Sequence, residues 1–151
     1  MTEREFVAKT AGILVYGHIG LFLYGLFGLA TFGRMSLTDV TQTILMGTPV
    51  LAIVSVSAFS HIVDGNHSKA SPADADPVAS KMIFRVCYAF IASLFFTYSL
   101  GIFPISGFDA DIIRMMVGAI ETVLGAYIAV IRDKIFPSPP TPAKPQEPGK
   151  E

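Results

Sequence analysis

The chain has 151 residues, of which 52% are hydrophobic and only 15% charged, against about 25% charged in a typical soluble domain. A net charge of −1 gives no basis for nucleic-acid binding. The single cysteine, Cys87, excludes an intrachain disulfide.

A helix that crosses the hydrocarbon core of a bilayer needs about 20 mostly apolar residues. Four segments supply them, at about 10–33, 40–63, 84–103 and 111–132. They predict an all-α integral membrane protein, a four-helix transmembrane bundle spanning 10–135 and folded as two antiparallel hairpins.

The first segment holds no Asp, Glu, Lys or Arg from Thr10 to Gly33. Such a helix would be ~36 Å long, more than the ~30 Å core, which favours tilting. Its leader, residues 1–9, mixes Glu3 and Glu5 with Arg4 and Lys9. The apolar run that follows exceeds the h-region of a cleaved signal peptide, so the segment is expected to be retained. Gly17, Gly20 and Gly28 cluster on one side of this helix, with Tyr24 among them. In lipid, small residues let backbones approach closely. That face therefore predicts tight packing, either within the chain or between subunits. His18 stands in the same helix as a hydrogen-bonding residue of the bundle.

The second segment contains Pro49 and the hydroxyl residues Thr41, Thr43, Thr48, Ser55, Ser57 and Ser60. Proline removes a helical hydrogen bond, and a nearby hydroxyl can satisfy the carbonyl it frees. The pattern suits a polar pathway and also a quietly packed bundle. Ser36 or Thr38, just before it, can cap the helix. Near its end stand His61 and Asp64, with His67 beyond. These three are metal-ligand types, but their loose grouping on a polar loop does not define a metal site. His18 and His61 could also ligate haem axially. No CxxCH sequence is present, and no cofactor is expected.

Residues 64–81 form a polar loop rich in Ala, Asp and Pro, read as a linker between hairpins. The third segment carries Cys87 in an apolar run, where a thiol usually packs inertly. Pro104 should end its helix.

The fourth segment is interrupted by Arg114 and Glu121, with Asp109 or Asp111 placed to cap it. Glu121 falls midway between Ile112 and Ile131. An ionisable residue at that depth normally faces a bundle interior or a wet cavity. Gly118, Thr122 and Gly125 flank it. Three roles suit Glu121: a neutral hydrogen-bonded carboxyl, a partner of Arg114, or part of a pore or proton path.

The tail, residues 136–151, holds six prolines and predicts a disordered, polyproline-like segment. It could dock on a partner that binds proline-rich sequence. With four spans, nine of the 11 Lys and Arg residues fall in the N-terminal segment, the middle loop with its helix edge (Asp64 to Arg85) and the C-terminal segment from Arg132 on. The positive-inside rule then places both termini in the cytoplasm.

No Walker loop, GxSxG, HExxH or dinucleotide fingerprint is present, so no enzymatic activity is expected. Small size, several spans and a polar tail resemble the general form of holins and membrane-acting effectors, in architecture only. The expected role is a small oligomeric protein of a bacterial inner membrane that forms or gates a pore, with Glu121, Arg114, Thr122 and His18 as its intramembrane polar residues. The helix-packing residues would be Gly17, Gly20, Gly28, Gly118 and Gly125. The alternatives are a non-catalytic subunit or scaffold of a larger membrane complex, and an ion- or proton-translocating or haem-binding subunit. Its partners would be the lipid bilayer and either further copies of itself or another membrane protein.

Overall fold

The computed structural model describes residues 3–33, 35–64, 77–103, 105 and 107–135. They form four helices: α1 (Glu3–Thr31), α2 (Leu37–Asp64), α3 (Pro77–Ile102) and α4 (Ala110–Ile135). No strand occurs among the described residues. Each helix contains a stretch long and apolar enough to cross a membrane. Only 28–33% of the residues in these stretches are buried inside the protein. Tyr16, Leu23, Phe27, Ile53, Phe96 and Val130 are among the large side chains left exposed. In water such a wall would be a severe aggregation liability; against lipid it needs no cover.

The helix ends follow local chemistry. Ser36 precedes α2, and its Oγ accepts the Asp39 backbone N–H at 3.2 Å. The Ser36 hydroxyl in turn donates to Asp39 Oδ2 at 2.7 Å. Of the two cap candidates here, Ser36 is the one engaged. Before α4, Asp109 Oδ1 accepts the Ile112 N–H at 2.9 Å, which is N-cap geometry. Asp111 serves elsewhere, as described below. Gly107, in the turn leading to α4, has φ +97°, a conformation that L side chains rarely adopt. The helix α3 starts at Pro77, inside the segment read as a polar loop. Proline suits a first helical turn because the missing N–H has no intrahelical partner there. The stretch long and apolar enough to cross a membrane covers all of α3, Pro77–Ile102, and so begins earlier than the 84–103 expected. The expected cytoplasmic linker otherwise lies largely outside the described residues, as does the proline-rich tail.

The helix α2 passes through Pro49 without interruption. Proline leaves the carbonyl four residues back, Leu45, without its usual donor. Thr48 Oγ1 donates to that oxygen at 2.6 Å. The Thr41 and Thr43 hydroxyls also turn back on their own helix, Thr41 to Leu37 O and Thr43 to Asp39 O. These three therefore repair or decorate α2 and do not line a path.

Contacts along α1 and α3 advance together: Gly17 faces Ile91, Gly25 faces Tyr98 and Gly28 faces Ile102. Those along α2 and α4 do the same, with Met46 near Gly118, Gly47 near Glu121 and Val50 near Gly125. The helix α1 also packs on α2 and α3 on α4, while α1 and α4 meet only narrowly across the centre. Tyr24 ties α1 to α3 by a 3.0 Å hydrogen bond to Ser99 Oγ. Ser99 already donates its own proton to Phe95 O, so Tyr24 is the donor.

Interior positions recur every three or four residues, the helical period. On α4 they are Ile113, Val117, Glu121, Leu124, Ile128 and Ile131. They build two apolar clusters. One gathers Leu14, Val50, Val54, Cys87, Leu124 and Ile128. The other gathers Leu21, Val40, Leu94, Tyr98, Ile102 and Val117. Between them lies one layer that is not apolar.

Candidate functional site: a polar layer inside the bundle

That layer is made by His18 of α1 and Glu121 of α4, which approach across the bundle diagonal. His18 lies between Leu14 and Leu21 of α1, and Glu121 between Val117 and Leu124 of α4, one leucine or valine from each cluster. His18 is 0% exposed and Glu121 2%. Their nearest atoms, His18 Nε2 and Glu121 Oε1, are 3.6 Å apart. His18 Nδ1 lies 2.7 Å from the Leu14 carbonyl oxygen.

The layer is short of hydrogen-bond partners. Among the described residues, His18 Nε2, both Glu121 carboxyl oxygens and Tyr98 Oη are buried without one. Buried polar atoms are normally satisfied, because an unpaired one costs about 1–3 kcal/mol. Finding four around one layer marks it out from the rest of the core. Tyr98, from α3, lies within electrostatic reach of Glu121.

Gly47 of α2 makes the room. A Cβ on this residue would lie 2.8 Å from Glu121 Oε1 and 2.8 Å from the Phe22 ring. Phe22 in turn sets its ring edge-on to His18, with centroids 6.3 Å apart. Sequence reading overlooked Gly47. Its signal was its place in the 40, 43, 47, 50, 54 spacing of α2's inward positions, a glycine where apolar side chains should recur.

The other residues expected at an intramembrane site lie apart from this layer. Arg114 does not pair with Glu121. It donates to Asp111 Oδ1 at 2.7 Å, to Asp39 Oδ1 at 3.2 Å and to Gln42 Oε1. Two turns along α4, it stands beside the start of α2, where acceptors crowd around it. The result is a charged clasp between the first turns of α2 and α4. Its carboxylates are partly or largely exposed, at 31% for Asp39 and 81% for Asp111. Replacing Arg114 by Gln should therefore lower stability by only about 0.2–1 kcal/mol. Chemical unfolding at rising ionic strength should shrink that difference further.

Thr122 is exposed, and its hydroxyl bonds back to Gly118 O at 2.7 Å. One residue past Glu121 is a rotation of about 100°, which turns it away from the interior. Gly17, Gly28, Gly118 and Gly125 do sit at helix contacts, but Gly20 has nothing within 4 Å of a notional Cβ. The α1 glycines thus divide between an inward and an outward side. Cys87 is free and buried. The side chains of His61 and Asp64, and all of His67, lie outside the described residues, so neither the weak metal group nor the His18–His61 haem pairing can be placed.

The chain matches no family, no curated protein and no solved structure.

Proposed function

We propose that this chain is a multi-pass protein of a bacterial cytoplasmic membrane that oligomerises and forms or gates a path for protons or small ions. One observation carries the reading: an unsatisfied His18–Glu121 pair buried midway along a bundle whose outer wall is apolar. Retaining ionisable groups at such depth costs several kcal/mol and normally serves transport or gating. Glu121 would act within each bundle, because its carboxyl points at α1 of the same chain and away from the lipid-facing surface. Oligomerisation would then supply stability and cooperativity.

The accompanying topology is two antiparallel hairpins, α1–α2 and α3–α4, with both termini and the middle loop in the cytoplasm. The short link from α1 to α2 and the parallel contacts of α1 with α3 support the hairpins. The distribution of Lys and Arg supports the sidedness.

Purified protein reconstituted into vesicles with an entrapped pH-sensitive dye should dissipate an imposed pH gradient. Glu121→Gln should slow that dissipation at least tenfold. Unchanged permeability, with incorporation into the vesicles verified, would reject the reading.

A scaffold role in a larger membrane complex is the second reading. It is favoured by the open notch at Gly20, flanked by the exposed Tyr16, Leu23 and Phe27, and by the proline-rich tail. Recovery of this chain alone from mild detergent would count against it.

A further inference from the structure

The protonation state of the layer follows from which atoms face one another. The Leu14 carbonyl can only accept a hydrogen bond. His18 Nδ1, 2.7 Å from it, must therefore carry a hydrogen and donate. In a neutral imidazole so arranged, Nε2 bears a bare lone pair. That nitrogen faces Glu121 Oε1 at 3.6 Å. Were the carboxyl ionised as well, two acceptors would oppose each other between two apolar clusters, with a net negative charge buried there. Adding one proton removes the conflict. It can reside on Nε2, giving imidazolium and carboxylate, or on Oε1, giving imidazole and carboxylic acid. Both arrangements sum to zero charge and give the pair one donor and one acceptor.

We infer that His18 and Glu121 form a one-proton site at the centre of the bundle, its proton exchanging between Nε2 and Oε1. Transfer breaks the N–H bond as the O–H bond forms, and no other reactant is needed. The separation is slightly longer than a hydrogen bond, and only a glycine at 47 leaves Oε1 uncrowded from the α2 side. The Tyr98 hydroxyl, buried without a partner, is the remaining donor from α3. From α2, Asp39 is already engaged by Ser36 and Arg114. On α4, Arg114 is held by Asp39, Asp111 and Gln42. Asp39 and Arg114 are thus occupied with each other and their own neighbours and do not pair with the site. The inference names the species handled by the path proposed above. As to transport it rests on that reading, whereas the protonation state rests on geometry alone.

Nitrogen-15 NMR in lipid vesicles tests the site directly. The chain has three histidines, so His61→Gln with His67→Gln leaves His18 as the sole imidazole signal. Near neutral pH, Nδ1 should be protonated, and the Nε2 resonance should lie between its bare and protonated values. Glu121→Gln should move Nε2 to one limit while Nδ1 stays protonated. A bare Nδ1, or an Nε2 resonance indifferent to Glu121→Gln, would overturn the inference. Proton flux measured on the same vesicles separates the two claims. A shared proton without flux keeps the site and rejects the path, whereas flux with an indifferent Nε2 rejects the site and keeps the path.

Discussion

Replacing His18 by leucine should destabilise the protein by about 3–5 kcal/mol, the usual cost of removing one partner from a buried pair. Glu121 would be left in an apolar interior with no imidazole to share its proton. The converse variant, Glu121→Leu, should cost less, about 1–3 kcal/mol. The Nδ1 of His18 keeps the Leu14 carbonyl, so only Nε2 is orphaned. The double variant should recover most of the loss, because two leucines would join the clusters on either side into one continuous core. Buried ionic pairs replaced by apolar residues of similar volume are often neutral or stabilising. Unfolding of the four proteins in denaturing detergent, followed by circular dichroism, measures all the differences. A double variant less stable than either single one would mean that the layer stabilises the fold, and the case for keeping it as a functional site would fall.

Gly28→Ala should be the most disruptive single methyl on the α1–α3 seam. A Cβ there would lie 2.2 Å from Ile102 Cδ1 and 2.7 Å from Cγ1, well inside van der Waals contact. Ile102 is itself buried and cannot swing outward without opening the core. Overpacking of this kind costs about 1–3 kcal/mol. The penalty should shrink or reverse in an Ile102→Ala background, where the added methyl occupies vacated space. Gly20→Ala is the control. Nothing lies within 4 Å of that site, and alanine favours helix over glycine, so its effect should stay within about 0.5 kcal/mol or be stabilising. Equal losses at 20 and 28 would contradict the packing described for α1.

Much of the architecture was readable along the chain. Apolar length alone marks four spans, because a membrane-crossing helix must satisfy its backbone internally and cover about 30 Å. The caps at Ser36 and Asp109 are local hydrogen bonds and were legible as such. So was the inward direction of Glu121, since a carboxyl at mid-membrane has nowhere favourable to point but inside. The repair of the Leu45 carbonyl by Thr48 is similarly local, an exchange within one turn of helix.

Contacts between helices were another matter. Arg114 and Glu121 share a helix and seemed possible partners, yet Asp39 and Gln42, more than 70 positions away in sequence, hold the arginine. Thr122 looked like part of the same polar stripe, but a single residue's rotation turns it outward. The glycines of α1 looked like one face, but Gly20 opens onto the outer surface while Gly17 and Gly28 receive isoleucines.

Residue order by itself therefore determined that this protein is helical, that its surface is made for lipid, and that one carboxyl must lie buried. Those properties depend on length, hydropathy and hydrogen bonds spanning a turn or two. Only the tertiary structure decided that the carboxyl meets His18, that Gly47 clears the space between α2 and the pair, and that Tyr98 stands nearby. The reason is physical: helical periodicity sets the direction of a side chain relative to its own axis, but the rotation and register of four packed helices set what it meets.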